Sequence, residues 1–159
     1  MPSVSMVDFA SIDLNQVVAD KDSIYRVLKQ SGSFGLLDVV CHFDPEANLV
    51  VGKKTIRGED WWAADHIPGR PIFPGALMIE TGAQLCSWDF LERRDDPEDI
   101  FLGFGGLNAT RFRGLVEPDC EMVFAGKVLR IRKNMFTYAV QGFVEQKLVF
   151  ETEVMGVVV

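Results

Sequence analysis

His66-Ile67-Pro68-Gly69-Arg70-Pro71-Ile72-Phe73-Pro74-Gly75, running directly into the apolar stretch Ala76 to Leu91, decides the fold of this chain. Pro68, Pro71 and Pro74 lack amide donors and fix φ, so regular structure is excluded before Gly75. A helix is predicted from that point: Pro74 suits its first position, and Gly75 leaves room for close approach to the backbone. Ala76, Leu77, Met78, Ile79, Ala83, Leu85 and Cys86 wrap every face, which marks a buried helix. It is too short and too interrupted by polar residues to span a membrane.

Glu80 and Gln84 lie inside that helix, one turn apart on the same face, so the amide can orient the carboxyl group. Burial disfavours the charged carboxylate, which makes Glu80 a candidate proton donor near neutrality; the alternative is a structural carboxyl satisfied by Gln84 and the backbone. His66 tips the balance. Its imidazole, with an unperturbed pKa of about 6.5, is mostly neutral at pH 7 and suits a base, although an isolated histidine in a turn is as readily a backbone-bonded one. The N–H groups of Gly75 and Ala76 lie at the helix N-terminus, where unpaired donors and the positive dipole end can hold a developing oxyanion. At about 1.5 Å per residue, Glu80 sits roughly 7 to 8 Å into the helix, and an extended proline-rich link separates it from His66 of the same chain.

Working outward, the sequence describes one domain with enough apolar content for a proper core: 159 residues, 48% hydrophobic and 25% charged. The net charge of -7 argues against nucleic acid or an anionic membrane as partner. Cys41, Cys86 and Cys120 are odd in number and without paired spacing, and they read as reduced thiols of a cytoplasmic protein; no basic-then-apolar leader is visible. Two histidines and three cysteines without close spacing offer no metal site. His42, beside Asp44 and without a supporting motif, reads as structural or exposed.

Residues 1–33 read as an uneven lead-in and a short covering helix, capped by Asp20 or Asp22 and ended by Ser31-Gly32-Ser33 after Gln30. Gly35 to Phe43 and Leu49 to Ile56 are predicted as a hairpin across Asp44, Pro45 and Asn48. Trp61 and Trp62 read as packing groups or as a tunnel wall. Ile100 to Leu107 resumes as strand, with Gly103, Gly105 and Gly106 marking bulges or close approach to a ligand; a phosphate loop would need a following helix and a Gly-Lys-Ser/Thr ending. Met122 to Ile131, Phe136 to Val144 and Leu148 to Val158 form an antiparallel meander. One wholly apolar helix and five or six long strands pack economically if the sheet curls around the helix.

The register of His66, Pro68-Gly69, Pro71, Pro74-Gly75, Glu80 and Gln84 resembles the signature of the β-hydroxyacyl-acyl-carrier-protein dehydratases, the FabZ/FabA-like group. That signature runs Gly-His-Phe-Pro-Gly-x-Pro, two residues, Pro-Gly, then a helix with the acid and a Gln one turn later. Asp65 and Ile67 replace its Gly and Phe, Lys29-Gln30-Ser31-Gly32-Ser33 stands where the family has Pro-His-Arg-x-Pro, and Pro118-Asp119-Cys120 replaces Pro-Gly-Asp. A weaker likeness runs from Phe34 onward through Leu36-Leu37-Asp38 and Arg111-Phe112-Arg113.

The resemblance implies an α+β hot-dog fold over residues 1–159, a curled antiparallel sheet wrapped around a long central helix. It also implies dehydration of a β-hydroxyacyl thioester to the trans-2-enoyl product without cofactor or metal. His66 would then be the base, Glu80 the acid, Gly75 and Ala76 the oxyanion site, and Gln84 the group that orients the acid. The implied partners are an acyl carrier protein, or coenzyme A in its place, and further copies of the chain as a homodimer or trimer of dimers, in which His of one chain meets Glu of the other. Arg111 and Arg113 match positions near the tunnel mouth, where they meet a carrier or form a solvated face; Lys53, Lys54, Arg57 and Arg70 are further basic candidates. A hot-dog thioesterase, with Glu80 activating water, and a non-catalytic acyl-thioester binder are the competing readings.

Overall fold

The computed structural model describes residues 3–159. Its strands are β1 (Ala19–Asp20), β2 (Val39–Asp44), β3 (Leu49–Ile56), β4 (Leu102–Phe112), β5 (Cys120–Arg132), β6 (Met135–Val144) and β7 (Lys147–Val158). They form one antiparallel sheet in the order β1-β2-β3-β5-β6-β7-β4. The predicted meander is β5 to β7, and β4 joins it from the far side to become an edge strand. Helix α2 (Gly75–Glu92) runs across the concave face. This is the hot-dog arrangement.

Helix α2 is held by apolar contact on nearly all sides. Leu77, Met78, Leu85, Cys86, Trp88, Phe90 and Leu91 share a buried core with Val50, Phe124, Phe136, Val140, Phe150 and Val154 of the sheet. The helix lies so close that a Cβ added to Gly82 would come within 2.7 Å of Val140 Cγ1. Pro74 is the N-cap rather than the first helical residue; its extended backbone leaves its carbonyl to accept from Leu77 and Met78 N–H. Near the other end, fully buried Asp89 accepts from the Tyr138 hydroxyl and from Arg93 Nε, a polar cluster that the apolar look of the helix concealed.

Covering helix α1 (Lys21–Val27) begins at Asp20, whose carboxylate caps Ser23 N–H at 2.8 Å. It stops at Val27, three residues short of the predicted end, because Leu28 turns extended and buries its side chain in the core. Strand β2 likewise starts at Val39 rather than Gly35. Residues Gly32–Phe34 form a 3-10 turn, and the N–H groups of Leu36 and Leu37 bond to the side chains of Gln84 and Tyr25 instead of to a strand. Strand β4 extends to Phe112, beyond the predicted Leu107, with register shifts at Phe104/Gly106 and Asn108/Arg111. The glycine cluster thus marks a bulge, and no helix follows it that could make a phosphate loop.

The N-terminal segment is not an idle lead-in. Val7 packs with Cys41, Val51, Val123, Ala125 and Phe143 on the face of the sheet opposite α2, with Met6, Phe9, Ile12 and Leu14 beside it. Gln141 clasps the segment, accepting from Met6 N–H at 2.7 Å and donating to the Val4 carbonyl at 2.9 Å. Among the described residues no helix is long and apolar enough to cross a membrane.

Candidate functional site

The signature stretch folds into turns rather than the extended link predicted for it. Pro68 and Gly69 occupy the centre of a tight turn closed by Arg70 N–H to the Ile67 carbonyl at 2.9 Å, and Gly69 has φ of 81°, a combination that favours proline then glycine. Beyond the turn, buried Phe73 packs edge-on against Trp62 at 5.1 Å, and its N–H donates to the Val116 carbonyl at 2.8 Å. Trp62 is therefore a packing residue, while Trp61 stays exposed and donates Nε1–H to the Ser33 carbonyl.

This geometry sets the histidine. His66 is exposed, its N–H donates to the Trp62 carbonyl, and its Nδ1 lies 2.8 Å from the Ile72 carbonyl oxygen. A carbonyl only accepts, so in the neutral ring Nδ1 carries the proton and Nε2 is left with its lone pair, the form a base requires. Backbone bonding and a catalytic role are thus compatible: the turn bond selects the tautomer.

Glu80 occupies a different environment. It is half-buried, and Gln84 Nε2 donates to its Oε1 at 3.1 Å. Burial raises its pKa above the ordinary carboxyl value, and the Gln84 hydrogen bond only partly opposes this. Glu80 and Gln84 line a cavity of about 230 Å3 together with Ser87, Leu28, Phe104 and Met155. Gly103 also lines it, whereas Gly105 and Gly106 are not among its lining residues. His66, Gly75 and Ala76 are not among the lining residues of this single-chain cavity.

At the start of α2, the Gly75 and Ala76 N–H groups have no hydrogen-bond partner among the described residues. Gly75 is crowded: a Cβ there would lie 2.7 Å from the Phe112 ring, which itself stacks on Phe150 at 5.5 Å, so a larger residue would have to displace that ring. The approach of Phe112 to Gly75 depends on how β4 pairs with β7 and has no local signal in the sequence.

The basic candidates separate. Arg113 is committed to an ion pair with Glu151, whereas Arg111 is exposed and, among the described residues, donates only to the Thr110 carbonyl. Lys53 pairs with Glu121, Arg57 and Arg70 are exposed, and Lys54 is buried against the Phe73 ring, where loss of hydration lowers its pKa. His42 sits on β2 opposite Val51. Among the described residues no three His, Cys, Asp or Glu side chains cluster as a metal site would need.

A FabA-like domain model matches residues 28–153. The chain belongs to the FabA-like family. The 3-hydroxyacyl-[acyl-carrier-protein] dehydratase FabZ of Campylobacter jejuni is 30% identical over 143 residues, which cover 88% of this chain and 97% of that protein. Membership places the chain among dehydratases, a class of lyases. Among solved structures, the dehydratase heterocomplex ApeI:P from Xenorhabdus doucetiae superimposes with a TM-score of 0.73 at 14% identity, covering 86% of this chain and 90% of that one. A mutant thioesterase from Pseudomonas aeruginosa reaches 0.67 at 12% identity, covering 92% and 99%. Similarity at that level speaks for the fold alone, which dehydratases and thioesterases share.

Proposed function

We propose that this protein dehydrates β-hydroxyacyl thioesters carried on an acyl carrier protein, giving trans-2-enoyl thioesters for fatty-acid synthesis. The observation that carries the reading is the division of labour at the site: a half-buried Glu80 with raised pKa facing a cavity, and an exposed His66 whose Nδ1 bond leaves Nε2 basic. His66 Nε2 takes the proton from the carbon next to the thioester carbonyl. The C–H electron pair forms the new double bond as the β-carbon–oxygen bond breaks, and Glu80 protonates the departing hydroxide, so that water leaves. The N–H groups of Gly75 and Ala76 hold the thioester oxygen while negative charge accumulates there. The reaction exchanges only protons and water and requires no cofactor.

The family resemblance implies a site shared between two copies, His66 of one facing Glu80 of the other, and the absence of His66 from the residues lining the Glu80 cavity of its own chain supports this reading. Edge strand β4, with Phe104, Leu107 and Phe112 more than one-third exposed, supplies an apolar edge suited to such pairing. The pair is the minimal unit, from which a trimer of dimers can be built. Arg111, exposed and in no ion pair among the described residues, is placed to meet an acidic carrier, with Arg113 held beside it by Glu151 and exposed Arg57 and Arg70 as further candidates.

Purified protein given an enoyl thioester should hydrate it reversibly, read as loss of enoyl ultraviolet absorbance. Comparing carrier-protein with coenzyme A substrates identifies the carrier. A folded dimer that hydrates neither would return the protein to the binder reading, and release of free thiol in place of hydration would make it a thioesterase.

A further inference from the structure

Gln84 is almost fully buried, and every hydrogen-bonding position of its amide is filled. Oε1 accepts from the Tyr25 hydroxyl at 2.6 Å and from Leu36 N–H at 3.4 Å, while Nε2 donates to the Phe34 carbonyl at 2.9 Å and to Glu80 Oε1 at 3.1 Å. The orientation of this amide is not free. The Phe34 carbonyl only accepts and the Leu36 N–H only donates, so a flipped amide would oppose like groups at both positions.

The Tyr25 hydroxyl is committed in the same sense. It accepts from Leu37 N–H at 2.7 Å, which directs its own proton to Gln84 Oε1. Burial holds the phenol well above its ordinary pKa, with the Asp38 and Glu80 charges adding to the effect, so Tyr25 keeps that proton throughout the neutral range. The ring is placed by α1, whose Asp20 cap and fully buried Ile24 fix the helix on the core. Tyr25 stands 59 residues before Gln84 and outside the signature stretch.

We propose that Tyr25 is a positioning residue for the acid: through Gln84 it fixes Glu80 Oε1 as the acceptor and thereby leaves the transferable proton on Oε2. Without the phenolic donor, the amide keeps only the long Leu36 bond at Oε1 and its hold on Glu80 loosens. The proposal rests on the dehydratase reading for its effect on turnover, but not for its effect on the carboxyl group. The titratable groups facing this network are Tyr25 on α1, whose phenol also feels the charge of Asp38 in the link to β2, and Lys29, which lines the same cavity as Glu80; the β4 and β7 residues facing that cavity carry none.

Tyr25→Phe keeps the ring and removes the hydroxyl. Its kcat should fall about tenfold with KM held within about twofold, because the loss lies in transition-state positioning. The alkaline limb of the kcat profile for dehydration, which reports Glu80 losing its proton, should move to higher pH, since the carboxylate loses a donor that favoured ionisation. In a Gln84→Ala background the same substitution should add almost nothing, as expected of two residues acting in series. Independently of turnover, a carboxyl carbon-13 titration, with Glu80→Gln identifying the resonance, should show the Glu80 midpoint rising in Tyr25→Phe. If the wild type hydrates no enoyl thioester, the dehydratase reading falls and this titration still decides the role of Tyr25. An unchanged midpoint in folded Tyr25→Phe, or an undiminished loss in the Gln84→Ala background, overturns the proposal. So does failure of Tyr25→Phe to fold, which would make the hydroxyl a structural group.

Discussion

The two titratable groups of the site are held in opposite ways. Glu80 stands on a buried helix, one oxygen gripped by an amide whose own bonds are all satisfied. His66 lies exposed on a turn, and its ring is fixed by a single carbonyl. The difference matches the roles proposed for the two groups. An acid that must stay protonated needs desolvation and a fixed direction, and both come from packing within one chain. The base role proposed for His66, reaching toward another copy, needs an open lone pair, and a short turn is sufficient to present it.

The largest effects should come from removing either group. Glu80→Gln and His66→Ala are each expected to lower kcat by about 100- to 10,000-fold, the range for general acid–base catalysis. The thermal melt of His66→Ala should stay close to wild type, because the ring is exposed and makes one side-chain hydrogen bond. Retention of near-wild-type turnover by either variant in a steady-state hydration assay would remove that residue from the mechanism.

Mixing the two inactive variants sharpens the same comparison. If acid and base belong to different chains, random reassortment makes half the dimers mixed, each with one intact site, and activity should recover to roughly a quarter of wild type. Native mass spectrometry can verify the exchange. Exchange without recovery would place both residues in one chain's site.

A smaller effect is expected at the helix start. Gly75→Ala sets a methyl against the Phe112 ring, which is about half exposed and can swing aside. We expect about a tenfold loss in kcat/KM from a displaced donor pair, relieved in part by Phe112→Leu. An additive pair of losses in the double variant would show that the contact does not transmit the effect.

The smallest effect concerns stability. Glu80 has a folded-state pKa raised above its ordinary 4.5, so the folded chain binds this proton more tightly than the unfolded chain does. The Glu80 contribution to stability is therefore most favourable below pH 4.5 and declines as pH rises through the folded pKa. Glu80→Gln removes that decline, and its Tm relative to wild type should be higher at pH 8 than at pH 4. Equal differences at both pH values would mean that Glu80 is not desolvated as the structure has it.

What was legible in the sequence is what local rules control. Proline and glycine spacing located the start of α2, its apolar faces announced burial, and strand patterning gave the β5–β7 meander. The pairing of Glu80 with Gln84 followed from helical spacing alone. Other features depend on partners far along the chain. Tyr25 reaches Gln84, Phe112 meets Gly75, and Asp89 finds Tyr138 only once the sheet has curled around the helix. Leu36 and Leu37 looked like strand because they are apolar and consecutive, but side-chain acceptors satisfy their amides. No local period encodes such a choice.

The Gln141 clasp also bears on how the chain is made. Its bond to Met6 joins residues separated by 135 positions, so during synthesis the segment from Val4 to Leu14 leaves the ribosome long before its binding face exists. Until β6 emerges, Met6, Val7 and Phe9 have no completed apolar surface to cover, and a nascent chain of that length offers them to any passing chaperone. The segment therefore cannot reach its final contacts until β6 has been made.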